Sequence, residues 1–112
     1  MPSLTITSNQ RMDTDSSQLK LLSKTVAEGL GKPEAYVMIS VTHNPDMLFA
    51  GSNEPLAYCE MKSLGLQESQ TASLSERLCS CLHKLFGISP SRIYIEFSAP
   101  PRAMWGWNNK TF

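Results

Sequence analysis

Leu4 and Ile6 alternate with Ser3, Thr5 and Thr7 near the start of the chain, a period of two that reads as a strand over Leu4–Ser8 with one buried face. After a polar stretch from Asn9 to Ser17 the period changes. Leu19, Leu22, Val26 and Leu30 recur at helical spacing, and Leu21 and Ala27 widen the stripe. Asp13, Thr14, Asp15 and Ser16 all suit the N-cap of that helix, while Gly31 followed by Pro33 stops it. Tyr36-Val37-Met38-Ile39-Ser40-Val41 is nearly continuous in apolar residues and predicts a buried strand. Asn44-Pro45-Asp46 is turn chemistry, and Met47–Ala50 reads as a short strand of its own.

The second half repeats that order. Leu56–Leu64 alternates, with Ala57, Cys59 and Met61 on one face and Tyr58, Glu60 and Lys62 on the other. A loop over Gly65–Gln70 precedes Ser73 and Glu76, which fit a capping box. Leu74, Leu78, Leu82 and Leu85 then form a helical stripe, broadened by Cys81 and Phe86 and stopped by Gly87 and Pro90. Ile93–Phe97 is the last long strand, and Pro100-Pro101 ends it. The halves superimpose at an offset of 56 residues, Gly31 onto Gly87. The expectation is one α+β domain over residues 1–112: two βαβ pseudo-repeats sharing a four-stranded mixed sheet, with both helices on one face. Such a sheet has a bare face and two open edges. The strand pattern predicts that the second face is not fully wetted, and a closed ring of subunits would cover both face and edges. Met47–Ala50 and Met104–Phe112 are then the short strands that pair between subunits. A monomeric two-layer domain is the alternative.

Charge and cysteine content narrow the class. Ten basic and ten acidic residues cancel and are scattered, so nothing points to nucleic acid or an anionic membrane as partner. No apolar run approaches the ~18 residues of a spanning helix, and no signal pattern opens the chain. Three cysteines, at 59, 79 and 81, predict reduced thiols and a cytoplasmic location, with secretion lacking a signal peptide as the alternative. His43 and His83 stand apart and predict no metal site.

The candidate chemistry lies at the N-terminus. Initiator methionine is trimmed when a small residue follows, and trimming here leaves Pro2 as a free secondary amine on the first strand. An α-amino group has an ordinary pKa of about 7.7–8.0, which burial or a nearby cation lowers. A neutral amine can then take a proton or attack a carbonyl. If Met1 stays, Pro2 is an amide and cannot be a base. Taken alone, a proline after the start residue is also simply a proline.

Several segments in order along the chain carry a resemblance: Pro2, Leu30-Gly31-Lys32-Pro33-Glu34, Gly51-Ser52-Asn53-Glu54-Pro55, Lys62-Ser63-Leu64-Gly65, Ile88-Ser89-Pro90-Ser91-Arg92-Ile93-Tyr94-Ile95 and the ending Gly106-Trp107-Asn108-Asn109-Lys110-Thr111-Phe112. The chain resembles the macrophage migration inhibitory factor family of the tautomerase superfamily over essentially its whole length. The resemblance implies a homotrimer with a pocket at each subunit interface. It implies keto–enol tautomerisation of phenylpyruvate-like and dopachrome-like compounds, with Pro2 as catalytic base and no cofactor. Lys32 matches the lysine that binds the substrate carboxylate and holds the proline neutral. Leu64 matches an apolar pocket position, and Tyr94 the tyrosine supplied by the neighbouring subunit. Tyr36, Trp107 and Phe112 match aromatic lining. Without the resemblance, Lys32 is a helix-end lysine and the aromatics are core or interface.

Three departures stand out. Glu96 replaces an asparagine, and a carboxylate facing the pocket there would repel anionic substrates and favour a protonated Pro2, the alternative being that Glu96 pairs with a cation such as Arg92 or Arg102 at the surface. Trp105 replaces a small aliphatic residue. Leu56 replaces the first cysteine of a Cys-x-x-Cys, leaving Cys59 alone and arguing against thiol–disulfide activity. Two function classes follow. One is a tautomerase acting on small aromatic keto acids. The other is a cytokine-like signalling protein that binds a protein receptor and has a secondary pocket. A stable trimer with neither role is the third reading.

Overall fold

A computed structural model describes residues 1–13 and 15–112, and the candidate cap Thr14 lies outside them. β1 (Pro2–Ser8), α1 (Ser16–Leu30) and β2 (Met38–His43) form the first unit; β3 (Ala57–Ser63), α2 (Glu68–Phe86) and β4 (Ile93–Ser98) form the second. The sheet order is β2-β1-β3-β4. β1 and β2 run parallel, as do β3 and β4, and the two units join antiparallel through β1 and β3. Each helix crosses over within its own parallel pair, as the repeat predicted.

Alternation decides what is buried. Leu4 and Ile6 on β1 and Cys59 and Met61 on β3 are fully buried against Leu22, Val26, Leu78 and Leu82 of the two helices. Each such aliphatic side chain contributes about 1.5–3 kcal/mol by leaving water. The helices approach closely at Gly29, where an added Cβ would lie 2.7 Å from Leu74 Cδ2. Asp15 caps α1, its carboxylate accepting from the Ser17 and Gln18 amides at 3.1 Å. Gly31 (φ 65°) and Gly87 (φ 69°) both end their helices in the left-handed region, so the repeat extends to its stops.

Four local readings are corrected. α2 begins at Glu68 rather than near Ser73. Gln67 and Gln70 cap each other reciprocally, Gln70 Oε1 accepting from the Gln67 amide at 2.9 Å, and nothing in Glu68–Ala72 breaks a helix. Tyr36 belongs to a single 3₁₀ turn (Glu34–Tyr36), and β2 starts at Met38. β2 is an edge strand and not a buried one: Met38 is 67% exposed, and only Ile39 and Val41 turn toward the core. Met47–Ala50 makes one bridge, Phe49 to Ser52, around a turn with positive φ at Ala50 (53°) and Gly51 (73°).

The face opposite the helices also differs from expectation. Register aligns Ser3 with Met38 and Lys62, Thr5 with Ser40 and Glu60, and Thr7 with Thr42 and Tyr58, while Tyr94 and Glu96 continue it on β4. Hydroxyls and charges dominate that surface, so it tolerates water. What one chain leaves open is the outer edges of β2 and β4, and exposed apolar groups at Tyr36, Met38, Leu48, Tyr94, Met104 and Trp107. The C-terminal tail pairs with itself, as β5 (Gly106–Trp107) against β6 (Lys110–Thr111) across the left-handed Asn108-Asn109 turn. Among the described residues no helix is long and apolar enough to cross a membrane.

Candidate active site at the chain terminus

The site is built where three elements end together. Pro2 opens β1, is buried, and is the register partner of Ser63, the last residue of β3. The Gly31 turn delivers Lys32 to the same place, where its ammonium donates to Ser63 Oγ at 3.0 Å and to the carbonyl of Leu64. The 3₁₀ turn after Pro33 presents Tyr36, and the tail hairpin presents Trp107 and Phe112. Trp107 meets Tyr36 edge-on at 6.2 Å and stacks on Phe112 at 5.8 Å with the planes 11° apart. Lys32, Tyr36, Leu64, Trp107 and Phe112 line a cavity of about 430 Å³ together with Met1, Gly65 and Arg102.

The electrostatics of this cavity bear on the amine at the chain terminus. The Met1 amine is held below its ordinary value, first by burial, then by the charges of Lys32 and Arg102. Both causes disfavour the ammonium form. No aspartate or glutamate lines the cavity. It therefore combines a partly buried chain terminus, an aromatic wall and two cations.

Five expected residues come together here: Lys32, Tyr36, Leu64, Trp107 and Phe112, with Pro2 beneath Met1 on β1. Tyr94 and Glu96 do not join them within one chain. Tyr94 lies on the exposed face of β4, 65% exposed, and packs against Phe49 at 4.7 Å in a separate hollow with Met47, Leu48 and Tyr58. Glu96 accepts from the Tyr58 hydroxyl at 2.6 Å and pairs with neither Arg92 nor Arg102. Arg92 instead directs its fork at the carbonyls of Phe49, Ser52, Glu54 and Pro55. Sequence reasoning missed Arg102 as a cavity residue. Its signal was a lone cation between Pro100-Pro101 and the tryptophans of the tail.

A groove of about 480 Å³ between α1 and α2, lined by Leu21, Thr25, Arg77, Cys81 and Lys84 among others, contains no comparable chemistry. Cys59 is buried and its thiol is pushed up to about 12, mainly by that burial. A thiol so protonated is a poor nucleophile. Among the described residues no three His, Cys, Asp or Glu side chains gather to hold a metal ion.

Comparison with known proteins gives the family. The family model for macrophage migration inhibitory factor matches residues 1–112. The chain belongs to the macrophage migration inhibitory factor family. It is 33% identical to macrophage migration inhibitory factor of Mus musculus over 114 aligned residues, covering all of this chain and 99% of the relative. It is 39% identical to the Brugia malayi homolog at the same coverage. The solved homologue from Prochlorococcus marinus superimposes with a TM-score of 0.93 at 42% identity, over 98% of each chain. The Trichinella spiralis protein gives 0.92 at 30% identity, over 98% of this chain and 99% of that one. The four-stranded mixed sheet under two helices is the tautomerase-type fold of this family, and membership supports a tautomerase-type isomerase in general.

Proposed function

We propose that the protein is a keto–enol tautomerase acting on phenylpyruvate-like and dopachrome-like compounds, with the processed N-terminal proline as general base. The observation carrying this reading is the chain terminus itself, whose amine shares one cavity with Lys32 and the Tyr36–Trp107–Phe112 wall. Removal of Met1 moves the free amine to Pro2, under the influence of the same burial and cations. The neutral amine takes a proton from the carbon next to the substrate ketone; that C–H electron pair forms the new C=C bond, and the C=O π pair moves to the carbonyl oxygen. Protonation of the oxygen gives the enol, and the reverse sequence returns the ketone. The substrate carbonyl delocalises the charge, so the step needs no cofactor. Two of the three ammonium protons of Lys32 point at Ser63 and Leu64, leaving one for the substrate carboxylate.

Tyr94 completes the site from a neighbouring subunit in a homotrimer. The exposed apolar groups of a single chain and the open edges of β2 and β4 support association. Receptor binding, in keeping with the name its relatives carry, is the second reading. Replacing Pro2 by glycine separates the two. On protein whose terminus is verified by mass spectrometry, tautomerase turnover of phenylpyruvate falls roughly 10²-fold or more, the scale of losing a general base. Unchanged turnover would remove Pro2 from the mechanism.

A further inference from the structure

Arg102 occupies a defined place on the cavity wall. Its guanidinium carbon lies 6.0 Å from the centre of the Phe112 ring, Phe112 stacks on Trp107, and Trp107 meets Tyr36. The exposed Arg102 thus stands at one end of the aromatic wall, while the half-buried Lys32 is fixed to Ser63 and Leu64 at the end of β3. The two cations also differ in what they have left to give. Lys32 has one free donor. The Arg102 guanidinium makes no hydrogen bond or ion pair among the described residues, so its planar five-donor fork is uncommitted and matches a carboxylate. No aspartate or glutamate side chain lines the cavity, and among the described residues the Phe112 terminal carboxylate forms no ion pair with either cation.

We propose that Arg102 is a specificity-determining residue that receives a second anionic group on the ring end of the substrate, so that the pocket selects doubly anionic aromatic acids over singly anionic ones. The inference rests on the tautomerase reading for its substrate frame, with the keto-acid carboxylate at Lys32 and the aryl ring along Trp107 and Phe112. A group on the far side of that ring then meets the unpaired fork. Lys32 and Arg102 are two separate cations on the cavity wall, and a substrate with two anionic groups offers one to each. The Met1 amine responds to Arg102 as well as to Lys32, so the guanidinium acts on the cavity interior.

The test uses equilibrium binding, which does not depend on turnover. Terephthalate and benzoate are titrated calorimetrically into the full chain, into Arg102→Gln and into Arg102→Lys, and folding of each variant is checked by circular dichroism. The parent prefers terephthalate by roughly tenfold or more, the scale of a charge-assisted pair. Arg102→Gln loses that preference, and Arg102→Lys keeps part of it, having the charge without the fork. Equal affinity of the parent for both ligands overturns the proposal, as does a preference that survives in Arg102→Gln. Phenylpyruvate turnover, measured alongside, tests the tautomerase reading independently. A binding preference without turnover sinks that reading and leaves the second-anion site standing, whereas turnover without preference does the reverse.

Discussion

Lys32 Nζ donates to Ser63 Oγ at 3.0 Å, and Ser63 sits opposite Pro2 in the β1–β3 ladder. One hydrogen bond therefore links the stop of the first helix, the end of the third strand and the start of the chain. It fixes a cation beside the terminal residue before any substrate arrives.

That placement separates two roles for Lys32. With most of its donors committed to the protein, its remaining contribution to an anionic substrate is binding. Lys32→Ala should raise KM for phenylpyruvate several-fold more than it lowers kcat, as expected for an interaction present in ground and transition states alike. Steady-state kinetics at a pH above the acidic limb check this, and an unchanged KM with a large loss of kcat there would show that Lys32 does not bind the substrate carboxylate.

The pH dependence follows from the direction of the amine shift. Burial, Lys32 and Arg102 all hold the terminal amine below its ordinary value, and a general base works unprotonated. Activity of the processed protein should rise with pH along an acidic limb centred below the ordinary α-amino range, and stay level above it. Lys32→Ala and Arg102→Gln should each move that limb to higher pH. Protein that retains Met1 should be inactive at every pH. A limb at the ordinary value would mean that the cavity does not tune the amine.

Glu96 and Tyr58 form a pair on the exposed sheet face. The hydrogen bond to Glu96, with smaller effects of burial and of the Glu96 and Glu60 charges, pushes the Tyr58 phenol up to about 12. Glu96→Gln should bring it down toward the ordinary ~10, read from tyrosinate absorbance during an alkaline titration. The sign for stability follows. The unfolded phenol ionises first, so the pair's contribution is full below pH ~10 and is lost as pH rises toward 12. A titration of the variant that overlays the parent would show that the phenol's surroundings, and not this carboxylate, set its ionisation.

Arg92 holds the segment between β2 and β3 by four backbone carbonyls, with N–O distances of 3.0–3.2 Å, and lies over Phe49 at 5.3 Å. Arg92→Ala leaves those carbonyls without their donor and should cost about 2 kcal/mol or more in chemical denaturation. It should also loosen the Phe49–Tyr94 contact. A midpoint equal to the parent's would show that water replaces the arginine without loss.

Open edges at β2 and β4, and exposure of Met38 (67%), Tyr94 (65%) and Met104 (77%), predict that the chain assembles. Sedimentation at micromolar concentration should give a trimer of the 12.4 kDa chain, and a folded monomer would contradict it.

Much of this was legible in the chain because periodicity encodes burial directly. The two repeats, their helix stops at Gly31 and Gly87 and the inward set Leu4, Ile6, Cys59 and Met61 follow from spacing alone. Apolar content misleads where it does not distinguish a core from an edge. The run from Tyr36 to Val41 read as buried, yet its strand borders only β1 and leaves Met38 in the open. Cap position was missed for α2 because Ser73–Glu76 fits the capping-box pattern whereas Gln67, the actual N-cap, is not a residue the pattern looks for.

For the site, the motif segments already named Pro2, Lys32, Leu64 and the tail aromatics. Their meeting is a tertiary fact, since Lys32 and Ser63 are 31 residues apart and touch only because β1 pairs with β3. The β3–β4 pairing likewise brings Glu96 to Tyr58, and the chain after β4 carries Arg102 to the cavity. Sequence by itself determined which strand and helix faces meet in the core and which residues carry chemistry, because those depend on residue type and period, but it did not tell the edge strand β2 from a buried one. Only the tertiary structure decided which charges share a cavity, because electrostatic influence depends on distance through space, and distance through space is what folding sets.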